Sequence, residues 1–138
     1  MRVHRALGPG FLESVYQKAL AHELRKIGLR ADCEHPVRVT YDGMVVGEFV
    51  SDILVDSRVM IENKAVTRLT TAHEVQLVNY LVATGVEIGL LINFGAESLQ
   101  FKRRVRSFDK DGDCIHPSAG HRSPFGRRNP VNPVNPVQ

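Results

Sequence analysis

The sequence predicts an α/β domain built as a mixed β-sheet flanked by helices. Two stretches with apolar residues at helical spacing, residues 11–27 and 71–84, bracket three consecutive strand-like runs. The helix-length connection from Lys64 to Ile88 permits a parallel, right-handed crossover between the strands it joins. The run IGLLINF, Ile88 to Phe94, is short and apolar, as expected of a strand covered on both faces.

In chain order, Met1 to Leu7 has helical character and ends at Gly8-Pro9-Gly10, a strong breaker. From Phe11 to about Ile27, Phe11, Leu12, Val15, Tyr16, Ala19, Leu20, Leu24 and Ile27 form an apolar stripe, and Gly28 is its natural stop. Glu13 lies on the border of that stripe. It reads either as a first-turn acid on the positive end of the helix dipole or as a carboxylate reaching inward. Arg30 to Tyr41 reads as a strand, and Asp42-Gly43 signals a hairpin into the next, Val45 to Asp56. Arg58 to Lys64 follows. Thr71-Ala72-His73-Glu74 matches a capping box opening a helix that stops at Gly85, with Gln76 and Tyr80 four apart on one face. Leu99 to Arg106 is the last strand.

The centre of the chain is FVSDILVDSRVMIENKA, Phe49 to Ala65, where Asp52 and Glu62-Asn63-Lys64 interrupt two apolar strands. Charged side chains suit a half-buried strand poorly. Glu62 and Lys64 share a face because strand side chains alternate. A three-residue loop, Asp56-Ser57-Arg58, sets Asp52 opposite Glu62, whereas a two-residue turn sets it opposite Ile61. We adopt the first register. Two adjacent carboxylates repel unless a cation lies between them, and hard divalent ions favour such ligands. A surface Asp beside a structural Glu–Lys pair accounts for the same short pattern.

Of the 138 residues 43% are hydrophobic, ordinary for a single globular domain. No run approaches the roughly 18 apolar residues of a membrane span, and MRVHRALGPG lacks a signal-peptide core. Cys33 and Cys114 lie far apart, which argues against a disulfide or cysteine-based zinc site and suits a reducing cytoplasm. The net charge of +3 is uneven: residues 1–101 carry −2, residues 102–138 carry +5. Lys102, Arg103, Arg104 and Arg106 lead the basic end and suit an anionic partner, although a solvated basic strand has the same composition. Residues 109–138, ending in NPVNPVNPV, are expected to form a Pro/Asn/Gly-rich disordered tail behind a domain spanning 1–108.

LGPGFLESVYQKAL closely resembles the signature of the GxxExxY proteins, with Gly10, Glu13 and Tyr16 at the named positions. Asp52, then Glu62-Asn63-Lys64, then Gln76-Leu77-Val78-Asn79-Tyr80, then GLLINFG resemble the rest of that pattern in order, from about His4 to Arg106. The family is placed in the PD-(D/E)XK nuclease superfamily. The resemblance therefore implies a PD-(D/E)XK nuclease-like mixed central sheet flanked by helices. It makes Asp52 and Glu62 ligands of Mg²⁺ or Mn²⁺, Glu13 a supporting acid of the metal site, and Lys64 the residue that positions the attacking water. Gln76 and Tyr80 look like the QxxxY element of the exonuclease-like branch. The N-terminal helix appears shortened relative to the family, and the tail lies outside its pattern.

The implied function is metal-dependent hydrolysis of phosphodiester bonds in nucleic acid, with DNA the expected substrate and the basic C-terminal residues contacting its backbone. A homodimer or a protein partner could supply substrate recognition. The alternative is a non-catalytic nucleic-acid-binding or partner-binding module on the same fold. A cofactor-dependent metabolic enzyme finds neither a glycine-rich phosphate loop nor a nucleophile motif.

Overall fold

A computed structural model describes residues 1–106. The expected tail over 109–138 and the surroundings of Cys114 lie outside the described residues. The elements are α1 (Arg2–Leu7), α2 (Glu13–Lys26), β1 (Ala31–Tyr41), β2 (Met44–Val55), β3 (Val59–Lys64), α3 (Thr71–Thr84), β4 (Ile88–Asn93) and β5 (Gln100–Val105). The strands form one sheet in the order β1-β2-β3-β4-β5. Only β3 and β4 are parallel, and α3 makes the crossover between them. The expected mixed sheet is thus present, with β5 at an edge.

The first two hairpin loops follow their local chemistry. Asp42 and Gly43 have positive φ, 50° and 74°, and join Tyr41 to Met44 directly, as a two-residue primed turn requires. Asp56 and Ser57 also have positive φ, and Val55 pairs with Val59 across the three-residue loop. Asp56 is held there by exchanging hydrogen bonds with Arg30: its amide donates to Arg30 O and its Oδ1 accepts from Arg30 N–H, both at 2.9 Å.

Each sheet face carries its own core. Val3 of α1 and Tyr16, Leu20 and Ala21 of α2 pack on Ile53, Ile61, Ile92 and Phe94. On the other face Leu77, Tyr80 and Leu81 of α3 pack on Val37, Leu54, Met60 and Leu91. β1 contributes to both, because its alternation is broken at Glu34 (φ 56°): Cys33 packs against the first cluster and Val37 lies in the second. The six-residue α1 is anchored by buried Val3 and by His4, whose Nε2 lies 2.9 Å from the Ala96 carbonyl. Among the described residues no helix is long and apolar enough to cross a membrane.

The capping box of α3 sits one residue earlier than its sequence pattern suggests. Thr70, not Thr71, is the extended N-cap residue, and its N–H donates to His73 Nδ1 at 3.1 Å. Glu74, the expected reciprocating acid, instead accepts from Arg104 Nη2 at 2.6 Å. A charge-assisted bond to a guanidinium outweighs a neutral backbone donor.

Candidate metal and nucleic-acid site

The β2–β3 ladder pairs Val55 with Val59, Leu54 with Met60 and Ile53 with Ile61. The same register carried one residue further sets Asp52 opposite Glu62, as the three-residue loop predicts. There the side chains take over the backbone bonds. Asp52 N–H donates to Glu62 Oε1 at 3.2 Å, and Asn63 N–H donates to Asp52 Oδ2 at 2.6 Å. Each carboxylate is thus oriented through one oxygen, and the strands part where the two acids meet.

Burial sets the electrostatics. Glu62 is only 5% exposed. Desolvation, helped by the neighbouring Asp52 carboxylate, pushes its pKa up to about 8. Asp52 is also raised, chiefly by burial, with the Asn63 N–H bond opposing the shift and the Glu13 charge reinforcing it. Two carboxylates that both resist ionisation are a site lacking positive charge. A hard divalent cation fits that donor set, since Mg²⁺ commonly takes one or two carboxylates and completes its shell with water. Asp52 and Glu62 would hold it. Glu13, the exposed first residue of α2, is felt electrostatically at both acids. Among the described residues, however, no three His, Cys, Asp or Glu side chains gather as a metal cage.

Lys64, two residues beyond Glu62 on the same face, is fixed from α3. Its Nζ donates to Gln76 Oε1 at 3.2 Å, and Gln76 Nε2 lies 3.4 Å from the Tyr80 hydroxyl. An ammonium only donates, so this contact also assigns which end of the Gln76 amide faces it. The Tyr80 phenol is pushed up to about 12 by burial and then by Glu62, so it stays neutral. Its ring lies 5.8 Å from that of Phe49 on β2.

Residues 1–105 match the sequence pattern of the PD-(D/E)XK nuclease superfamily. The chain belongs to that superfamily. No curated protein matches it. Among solved structures, the fold is similar to the crystal structure of SSO0001, with a TM-score of 0.55 at 17% identity over 70% of this chain. The match spans 52% of that chain, so this protein corresponds to about half of the other's length.

In this superfamily member, the fold brings Asp52, Glu62, Lys64, Gln76 and Tyr80 together, with Glu13 at their margin. The basic residues are divided. Lys102 pairs with Leu91, which pairs with Glu62, so Lys102 shares the carboxylate face. Arg104 shares that face but is bound to Glu74. Arg103 pairs with Leu90 and lies on the α2 side. Arg106 follows the strand, its amide bonded to Glu87 O at 2.7 Å.

Sequence reasoning passed over three supporting residues. Asn93 pairs with Lys64, and its fully buried side chain holds the loop beyond: Oδ1 accepts from Val66 N–H at 3.0 Å and Nδ2 donates to Val66 O at 2.8 Å. Gly95 lies so close to this loop that a Cβ would stand 2.5 Å from the Ala65 and Val66 backbone. A lone Asn at the end of an apolar strand, with Gly two residues on, was the available signal. His73 is the third: it borders the site closely enough to feel Lys64 and Glu13, and burial lowers its pKa.

Proposed function

We propose that this protein hydrolyses phosphodiester bonds of nucleic acid, DNA foremost, in a reaction dependent on Mg²⁺ or Mn²⁺. The observation that carries the reading is the meeting of Asp52 and Glu62 at the parted end of β2 and β3, both with raised proton affinity, beside an ammonium held from α3. Within the superfamily, Gly10, Glu13 and Tyr16 favour the GxxExxY group. A cytoplasmic setting suits two cysteines distant in sequence.

Each side chain has a task. Asp52 and Glu62 present the oxygens not committed to backbone N–H groups, and a bound divalent cation would polarise the scissile phosphate and acidify a water. Lys64 keeps N–H donors beyond the one directed at Gln76, enough to orient that water and to oppose charge building on the phosphoryl oxygens. Gln76 and Tyr80 maintain the position of Lys64. Lys102 offers a phosphate contact on the same face. A homodimer or protein partner would add substrate recognition.

The test is cleavage of labelled linear, circular and single-stranded DNA and RNA at low salt with Mn²⁺ or Mg²⁺, beside a folded Lys64→Ala protein. Metal-dependent cleavage that the variant loses supports the reading, and the substrate panel gives its polarity. No cleavage by the unaltered protein with either metal overturns it.

A further inference from the structure

His73 borders the candidate site without a share in holding it together. It stands three residues before Gln76 and seven before Tyr80, so the three side chains form one stripe of α3. Gln76 holds Lys64, and Tyr80 feels the Glu62 charge, so this stripe faces the carboxylate row. His73 in turn feels Lys64 and Glu13. With a rise of 1.5 Å per residue, it lies about 4.5 Å along the helix from Gln76, on the side away from Tyr80.

The two ring nitrogens have different fates. Nδ1 accepts the Thr70 N–H at 3.1 Å and so closes the capping box of α3. A ring nitrogen that accepts carries no proton, so the single ring proton is on Nε2. Burial first, and then the Lys64 ammonium, lower the pKa and favour this neutral form. The ring is half-buried, and among the described residues no partner takes its Nε2–H. Capping by itself does not call for histidine, since Glu or Gln at the third helical position serves it. Histidine adds a donor on the side of the ring away from the backbone it caps.

We propose that His73 contacts the substrate, its Nε2–H donating to a phosphate oxygen of the nucleic-acid strand beside Lys64. The inference rests on the reading that nucleic acid is the ligand of this site, and it gives that ligand a second fixed contact from the α3 side. A neutral donor suits the position. A second cation there would repel Lys64, whereas an N–H group adds a directed bond without adding charge. Its acceptor is ionised, which makes the bond stronger than one between neutral groups. Phosphates carry no base identity, so the contact fixes the register of the strand and not its sequence.

The experiment is a binding cycle by fluorescence anisotropy with labelled DNA, single-stranded and duplex, at low salt in EDTA and again in Ca²⁺. One phosphate at a time is replaced by an uncharged methylphosphonate. His73→Ala should weaken binding of unmodified DNA about tenfold. At the contacted phosphate the methylphosphonate should weaken the unaltered protein, and His73→Ala should then cost no more than about twofold further. At every other position the two losses should multiply. His73→Gln supplies both an acceptor for the Thr70 N–H and a donor, so it should restore most of the affinity. His73→Glu supplies the acceptor alone and should not, although both variants should melt close to the unaltered protein. Losses that multiply at every phosphate, or equal binding by the Gln and Glu variants, overturn the proposal. The reading beneath it fails differently: unaltered protein that binds neither form of DNA in either buffer rejects DNA as the ligand, and this contact with it.

Discussion

The two faces of β3 are made by the same six residues, yet they are organised in opposite ways. Towards α2, Ile61 joins an apolar cluster centred on the stacked rings of Tyr16 and Phe94, 4.7 Å apart. The Tyr16 hydroxyl in this cluster is satisfied: it donates to Gly8 O at 2.5 Å and accepts from Phe11 N–H at 3.2 Å. It thereby fixes the loop in which Gly8 and Gly10 hold positive φ, 66° and 115°. Asn63, two residues beyond Ile61 and fully buried, by contrast has no side-chain hydrogen-bond partner among the described residues. Towards α3, Glu62 and Lys64 leave a charged row whose acids resist ionisation. One face stabilises the domain. The other buries acids at a cost to stability, a pattern common at functional sites.

Substitutions that move one face without the other sharpen this contrast. The largest effect is expected for Glu62→Gln, which keeps an acceptor for Asp52 N–H but removes the charge. Cleavage should fall by about 10²–10³-fold, while a metal-free melt at pH 8 should show a higher Tm than the unaltered protein. A Tm that drops would mean that Glu62 supports the fold, and the two faces would no longer differ in kind.

A pH series gives the next effect. The pKa of Glu62 rises from 4.5 to about 8 on folding, so the native state binds the proton more tightly than the unfolded chain. Its contribution is therefore complete below about pH 4.5 and lost as pH rises towards 8. Metal-free stability should decline across that window by on the order of a few kcal/mol. Mn²⁺ should offset the decline, most strongly at the alkaline end, and Glu62→Gln should flatten it. Calorimetry with and without Mn²⁺ checks all three.

Tyr16→Phe tests the other face. It keeps the stacked ring and strips the hydroxyl from Gly8 and Phe11, so denaturant unfolding should show a loss of about 1–2 kcal/mol. At saturating metal, cleavage per folded molecule should hardly change. The smallest effect is expected for Arg104→Ala: its ion pair with Glu74 is partly exposed, so the loss should stay within about 1 kcal/mol in the same assay.

Local rules made much of this readable beforehand. Period-two alternation placed Glu62 and Lys64 together, and the four-residue spacing of Gln76 and Tyr80 placed them on one helical stripe. For the β2–β3 hairpin two loop lengths stood open, and the three-residue Asp56-Ser57-Arg58 loop, adopted because it gathers the charges, is the one the ladder shows. The first two depend on backbone geometry within one element, which the sequence by itself determines. Even there a single residue escaped: the α3 cap is Thr70, reciprocated by His73, while Glu74 pairs with Arg104, thirty positions away.

What only the tertiary structure decided involves elements distant in sequence. The amide of Gln76 meets Lys64 because α3 crosses above β3, and the proton affinity of Glu62 is set by how completely the packed faces exclude water. Asn93 and Gly95 matter through a loop nearly thirty residues earlier, which β4 adjoins only once it is parallel to β3. The basic run at the end looked like one patch. In the edge strand, alternation sends Lys102 and Arg104 to the carboxylate face and Arg103 to the other. Sequence carries the charges in order along one line, but a folded sheet separates neighbours by face and joins strangers across strands.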